Sequence, residues 1–403
     1  MKDLCYFCGM KLHVFNPEHD IALAFNRRHQ TMPHAAQELR MNLGWIPALW
    51  AGDGDVVLVD DVPYAVKAAK RSGLKMADVL FLGKGEIKGM LFDEVLPWGW
   101  DLTVKTELEE AGVDKRLLPD EGELIDIRHL SNRRKTINSL QVLRMRLEDQ
   151  TCGESAYITT LESGRKVLEE WKNVVIKAPW SSSGRGIRYV NGTMNEATKN
   201  WVHRVMEKQG GVMVEPYYNK VKDFGMEFFA DKDGSVRFEG FSLFITQNGA
   251  YTGSLLASND EKREMLSRYV PATLLEKIIE RVITNAPRLF EGHYSGPFGV
   301  DMMIVAREDG NGFLLHPCVE INMRRTMGHV ALSLTPPPLA PKQLMRIIHD
   351  VNYKLKISDL ENGNFCCFHH YFFVSVLVQT TCPSYARLMR LYLFQPTRSR
   401  PSR

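Results

Sequence analysis

Polar and apolar positions alternate from Lys11 to Phe15, which predicts a first strand, and short apolar runs at 56–59 and 79–82 predict two more. Residues 63–72 between them have helical spacing, with Pro63 suited to a first helical turn. Strand and helix in alternation imply a parallel α/β layer. Helical periodicity recurs at 102–111, 133–147 and 161–171. A second α/β region opens at Asn173. Its pattern predicts strands at 174–178, 187–190 and 212–215, with a helix at 195–209. Residues 224–244 alternate like a hairpin around Asp233-Gly234, residues 271–290 read as a helix, and 297–322 read as a second hairpin. After Pro336-Pro337-Pro338, a last helix is expected over 341–356. No internal repeat is visible. The expected divisions are an N-terminal α/β domain (1–130), two further subdomains (131–214 and 215–360) and an atypical tail (361–403).

Composition adds limits. With 403 residues, 44% hydrophobic and 25% charged, the chain has the profile of a soluble globular protein of two or three domains. No run approaches the roughly 18–20 apolar residues of a membrane span, and residues 1–10 lack the apolar block of a secretory signal. The net charge of +3 is uneven. From Asn362 onward there is no Asp, Glu or Lys, and five arginines occur; without them 46 basic residues face 48 acidic ones. A whole-surface nucleic-acid footprint is therefore not indicated, and arginine-tail RNA binding is the weakest rival reading. Seven cysteines, an odd number, fit a reduced, cytoplasmic protein. Met10 makes a natural start, so residues 1–9 read as an upstream extension and both ends as dispensable.

The most informative segment runs from Gly299 to Asn322. Asp309-Gly310-Asn311-Gly312 separates two apolar runs, and a hairpin centred on Gly310-Asn311 would set Asp301 directly across from Glu320, with Asn322 on the same face. Facing carboxylates repel, and a divalent cation resolves the conflict: hard oxygen ligands suit Mg²⁺ (or Mn²⁺) shared with substrate phosphates. The alternative is a slipped register with both acids solvated at an edge. Lys177, in Val174-Val175-Ile176-Lys177-Ala178, is costly to bury without an anion. The small residues that follow, Ser181, Ser182, Ser183, Gly184 and Gly186, would let backbone N–H groups approach a phosphate, or would form a simple flexible turn. No GxxxxGK[ST] string is present. Third, Val214-Glu215-Pro216 ends a short strand like a hinge whose backbone could bond a purine, and Asp223 follows at a spacing suited to ribose hydroxyls. Either acid alone would also serve as a solvated surface group.

Taken in order over residues 131–330, these pieces resemble the ATP-grasp superfamily of ATP-dependent carboxylate-amine ligases. Glu320-x-Asn322-x-Arg324 is similar to the E-x-N-x-R string of biotin carboxylase and its relatives. The resemblance implies an α/β and α+β architecture in which two subdomains enclose ATP behind a variable N-terminal α/β domain. It implies adenine at the Glu215 hinge, ribose at Asp223, phosphates at Lys177 under a flap of Ser181 to Gly186, and Mg²⁺ on Asp301, Glu320 and Asn322. Lys135 is the candidate for the family's second phosphate-contacting lysine. Arg324 or Arg325 would clamp the substrate carboxylate or its acyl phosphate, a task suited to a guanidinium fork. The implied reaction activates a carboxylate as an acyl phosphate and couples it to an amine, releasing ADP and phosphate. Its partners are small-molecule carboxylate and amine substrates, with neither membrane nor nucleic acid, and a homodimer is compatible. The alternatives are an ATP-grasp kinase or carboxylase, or a nucleotide-binding regulatory or scaffold protein without turnover. One departure stands out: peptide-forming relatives carry an arginine two positions before the metal-binding Asp, where this chain has Gly299.

Among lesser signals, His19 in Asn16-Pro17-Glu18-His19-Asp20 follows the first strand, where α/β folds place ligands. His329 would bond substrate or cap a turn. Trp98, Trp100 and Trp180 read as core or loop anchors. Cys5-x-x-Cys8 and Cys366-Cys367-Phe368-His369-His370 have ligand chemistry, but neither spacing makes a complete zinc site.

Overall fold

The structure is a computed structural model that describes residues 9–181, 186–247, 250–290, 294–337, 342–350, 363–364 and 371–378. Ser182, Ser183, Gly184, Cys5, Cys8 and the Cys366–His370 cluster lie outside the described residues. The chain forms two compact units, the first built mainly from residues up to Ile125 and the second mainly from Asp126–Met345.

In the first unit, β1 (Lys11–Val14), α1 (His19–Phe25), α2 (His34–Leu43), β2 (Val56–Leu58), α3 (Val62–Ser72), β3 (Leu80–Leu82), β4 (Glu94–Pro97) and α4 (Leu102–Glu110) follow one another. The strands form one parallel sheet in the order β3-β2-β1-β4. Leu12, Val14, Val56, Leu58 and Val95 pack with Val104 and Leu108 of α4, which is why these strands read as nearly continuous apolar runs. The Asp61 side chain caps α3 by accepting from Tyr64 N at 2.8 Å, and Gly73, in the left-handed region, ends that helix.

α5 (Glu121–Leu130) leads into the second unit. The helix expected over 133–147 is divided: Arg133–Lys135 is a 3-10 turn, and α6 spans Thr136–Arg144. Its start is bent because Arg133 N donates to Pro179 O, and its end is set by Arg146 at φ 58°. Then come β5 (Ala156–Ile158), α7 (Leu161–Trp171), β6 (Asn173–Lys177), β7 (Ile187–Asn191), α8 (Glu196–Gln209) and β8 (Val212–Pro216), with sheet order β5-β8-β6-β7. The chain continues through β9 (Lys220–Ala230), β10 (Val236–Ser242), β11 (Phe244–Gln247), β12 (Ala250–Leu256), α9 (Asn259–Ser267), α10 (Ala272–Leu289), β13 (Gly296–Ala306), β14 (Phe313–Asn322), α11 (Met327–Ser333) and β15 (Gln343–Asp350). Residues 343–350 are thus a strand, not the helix expected over 341–356, and 351–356 lie outside the described residues. A short Leu-Met-x-Ile-Ile run satisfies either period, and adjacent β-branched isoleucines favour the extended form.

β10, β9, β13 and β14 form an antiparallel sheet with two unlike faces. Phe224, Met226, Phe228, Phe298, Val300, Met302 and Ile304 enter the largest apolar core, against α6, α9 and α10. On the opposite face the same strands carry Asp223, Glu227, Asp301, Glu320 and Asn322, so this sheet positions the candidate site.

Candidate active site

Asp301 and Glu320 are direct partners across β13 and β14, and Gly299 faces Asn322. The expected pairing is present although the turn is not centred as expected. At the tip Ala306 faces Phe313, where a Gly310-Asn311 centre would put Leu315. Between the Met303–His316 and Asp301–Glu320 pairs, β14 takes up two residues more than β13. Pro317 lies in that interval and has no N–H to give the ladder, so a bulge forms there and restores the register that opposes the two acids.

The acids are not equivalent. Burial and the facing Glu320 carboxylate push Asp301 up to about 7, while a hydrogen bond from Asn322 Nδ2 to its Oδ2 (3.2 Å) opposes the rise. Arg324 Nη2 donates to Asn322 Oδ1 at 3.0 Å, so the Glu-x-Asn-x-Arg spacing becomes a relay: the arginine orients the amide, and the amide orients Asp301. Glu320 Oε1 instead accepts from Arg133 Nη2 at 2.6 Å. Two hard carboxylates and an amide fit a divalent cation that completes its shell with phosphate or water oxygens. Among the described residues there is no group of three or more His, Cys, Asp or Glu side chains that could hold a metal ion.

Arg133 also holds the base of the Ser/Gly loop. Its Nη1 donates to Ala178 O (2.6 Å) and Ser181 Oγ (2.7 Å), and its Nη2 to Ser181 O (2.8 Å). Ala178 N closes the loop on Gly186 O at 2.8 Å. Gly186 has to lack a side chain, because a Cβ there would overlap Ser181. Lys135, the residue expected beside the phosphates, lines a cavity with Asn138, Gln141 and Arg288; Arg133, two positions earlier, is the cation that reaches the loop. Helical spacing over Asn132-Arg133-Arg134-Lys135 does not tell which cation contacts Ser181, because residues 133–135 form a 3-10 turn.

Lys177 is buried at the end of β6, and the anion that compensates it is the Glu215 carboxylate, 2.6 Å from Nζ on neighbouring β8. Glu215 therefore pairs through its side chain, leaving only backbone for the expected hinge role. Asp223 on β9 accepts from Lys220 Nζ at 2.5 Å. Arg325 is pushed down to about 10 by burial. His329 serves as a cap: its Nδ1 accepts from Thr326 N at 3.1 Å, and burial pushes it down to about 3. Trp180 anchors the loop base, its Nε1 donating to Arg128 O at 3.0 Å, and Trp98 packs edge-on to Phe15 in the first unit.

Sequence reasoning missed Glu227 and Lys262. Glu227 faces Gly299 across β9 and β13, is 3% exposed, and is pushed up to about 8 mainly by burial. Its Oε2 accepts from Thr326 Oγ1 at 2.8 Å and lies 3.1 Å from His329 Nδ1. A Cβ at Gly299 would come within 2.6 Å of Oε2, so Glu227 closes that position to a side chain. Lys262 on α9 is fully buried with no hydrogen-bond partner for Nζ among the described residues, and burial pushes it down to about 8 against the pull of Glu227. The signal available in the sequence was period two: Asp223, Gly225 and Glu227 continue one face of a strand.

No protein-family model matches the sequence, and no curated protein does. Solved structures do match in fold. The chain is similar to N5-carboxyaminoimidazole synthetase from Staphylococcus aureus complexed with ADP, with 12% identity and a TM-score of 0.51 over 96% of this chain and 97% of that one. It is similar also to an N5-carboxyaminoimidazole ribonucleotide synthetase in an ADP complex, with 13% identity and a TM-score of 0.50 over 94% and 95%. At such identities the likeness shows the fold, which is the ATP-grasp fold. Among the described residues no helix is long and apolar enough to cross a membrane.

Proposed function

We propose that this ATP-grasp chain is an ADP-forming ligase that activates a carboxylate as an acyl phosphate and joins it to an amine, with residues 131–214 and 215–360 as the two nucleotide-binding subdomains. The observation that carries the reading is the pairing of Asp301 with Glu320 beside Asn322, on a sheet face tied through Arg133 to the base of the Ser/Gly loop. The fold is shared with a structure that holds ADP.

In this reading Lys177 supplies positive charge to the α/β phosphates, with Glu215 holding its Nζ in place. Ser181 to Gly186 close over the γ end, Glu215 and Asp223 mark the adenine and ribose ends, and Lys135 stays at the edge of the phosphate region. Asp301, Glu320 and Asn322 would hold Mg²⁺ or Mn²⁺, whose chemistry is to neutralise phosphate charge as the γ-phosphoryl transfers. The substrate carboxylate attacks that phosphoryl group, ADP leaves, and the acyl phosphate is positioned by Arg324, whose fork already addresses Asn322. Attack by the amine then forms the amide and releases phosphate and a proton. A bare carboxylate is a poor acyl donor because oxide is a poor leaving group, and phosphate removes that obstacle.

The setting that fits is reduced and cytoplasmic, supported by Cys152 and Cys318 being buried and free. A homodimer is compatible, and nucleic acid is not part of the reading. The test is a coupled ADP-release screen over pairs of small carboxylates and amino acids, with product masses read out. Amine-dependent ADP release with a condensed product is expected. Release that needs no amine makes the protein a kinase, and Mg-ATP binding with no release under any pair makes it a nucleotide-binding regulator.

A further inference from the structure

A cavity of about 360 Å³ opens within the second unit where α6, the last turn of α10 and the end of β14 meet. Lys135, Asn138 and Gln141 recur at intervals of three, so they share one side of the 3-10 turn and of α6 that continues it. Leu140 and Leu143 take the opposite side of that helix into the apolar core. Arg281 Nη1 donates to Leu143 O at 2.8 Å and pins α10 alongside; Arg288, seven residues on and so on the same side of α10, borders the cavity. Phe290 and Ile321 supply an apolar wall. Ile321 stands between Glu320 and Asn322 with its side chain against the apolar core, so the cavity lies on the side of β14 away from the acid pair.

The lining is one-sided in charge. Lys135 and Arg288 border the cavity, and no Asp or Glu side chain does among the described residues. Its donors are also uncommitted: the side chains of Arg288, Asn138 and Gln141 have no hydrogen-bond or ion-pair partner among the described residues. Water can satisfy such amides one by one, but it brings no charge to offset two cations that share one concave space. An anion does. The volume lies within the range of small-molecule sites, roughly 300–1,000 Å³, and an apolar wall facing polar donors selects a ligand that has both parts.

We propose that this cavity binds a small organic oxyanion, its phosphate or carboxylate head held by Arg288 and Lys135 with the Asn138 and Gln141 amides, and its apolar body against Phe290 and Ile321. A guanidinium fork suits either head. Apart from Lys135, none of these residues has a part in the proposed nucleotide site, and the cavity needs nothing from that reading.

The test is calorimetry on the full chain with phenyl phosphate and benzoate as probes and benzamide as the neutral control. Saturable binding of at least one probe and none of benzamide is expected, and the tighter probe identifies the head. Arg288→Gln is expected to weaken that probe about tenfold or more, as loss of a charge-assisted hydrogen bond does. Asn138→Trp, which fills the cavity and keeps both cations, should weaken it as much, whereas Arg268→Gln, which removes an exposed charge outside the cavity, should leave it unchanged. Asn138 and Arg288 are exposed, so neither change removes core packing. Binding of neither probe, equal binding of benzamide, full affinity in Arg288→Gln or Asn138→Trp, or an equal loss in Arg268→Gln would overturn the proposal. So would competitive displacement of the probe by Mg-ATP, which would put the anion at the nucleotide site. Arg288→Gln is expected to keep its Mg-ATP affinity, and a wild type that takes the probe but no ATP would sink only the ligase.

Discussion

Arg133 and Glu320 are separated by 187 residues of sequence and joined by a 2.6 Å hydrogen bond. The same guanidinium also donates to Ser181, so one buried cation ties the base of the Ser/Gly loop to the acid pair on β13 and β14. A lysine cannot reproduce that fork. Arg133→Lys is expected to lower unfolding stability by about 2–3 kcal/mol, the worth of a lost charge-assisted hydrogen bond or two, and to weaken Mg-ATP binding at least as much. Urea unfolding and calorimetry measure the two. Unchanged nucleotide affinity in a folded variant would remove Arg133 from the site.

Lys177 and Lys172 are neighbours with opposite surroundings. The first is buried against Glu215; the second is exposed at the end of α7. Lys177→Ala leaves Glu215 as a buried unpaired charge, a change that costs about 3–5 kcal/mol, and ATP affinity should fall well over tenfold. Lys172→Ala should leave both nearly unchanged. Calorimetry that finds equal ATP affinities in the two variants would count against the phosphate role of Lys177.

What could be read from the sequence depended on range. The Asp301–Glu320 pairing followed from turn residues and period two, both local. It was right at the site even though the turn is centred one residue away, because the Pro317 bulge offsets the error. Local rules also placed Lys177 within a strand, but not Glu215 as its partner, which depends on β8 lying beside β6. Arg133 over Lys135 was illegible, because a contact to Pro179 O selects a 3-10 turn that no spacing rule anticipates. Glu227 escaped for the same reason: its importance comes from Gly299 and Thr326, about 70 and 100 residues later, which close around it.

Glu227 gives a test of protonation state. A carboxyl pushed up to about 8 is largely neutral at pH 7, so Glu227→Gln keeps both its charge and its acceptor for Thr326 Oγ1. That variant should change stability by less than about 1 kcal/mol. Glu227→Ala leaves Thr326 and Lys262 without their buried counterpart and should cost about 3 kcal/mol. Urea unfolding at neutral pH compares them, and a severe loss in the Gln variant would mean that Glu227 is ionised in the fold.

In the proposed site Asp301 would link metal binding to pH. Its carboxyl rises from 3.8 to about 7 on folding, so the native state binds the proton more tightly than the unfolded chain does. The stability this contributes is fully present below pH 3.8 and is lost as pH rises through about 7. A loss of about 1–2 kcal/mol is expected, less than the full shift implies because part of Asp301 remains in contact with water. Glu227 adds a loss of the same sign up to about pH 8, so Asp301→Asn should flatten only part of the profile. A cation on the acid pair competes with the Asp301 proton. MgCl₂, compared with NaCl at equal ionic strength, should therefore raise Tm more near pH 8 than near about pH 5, and should do so in wild type but not in Asp301→Asn. A magnesium effect of equal size in both proteins would place the ion elsewhere and remove Asp301 from its ligands.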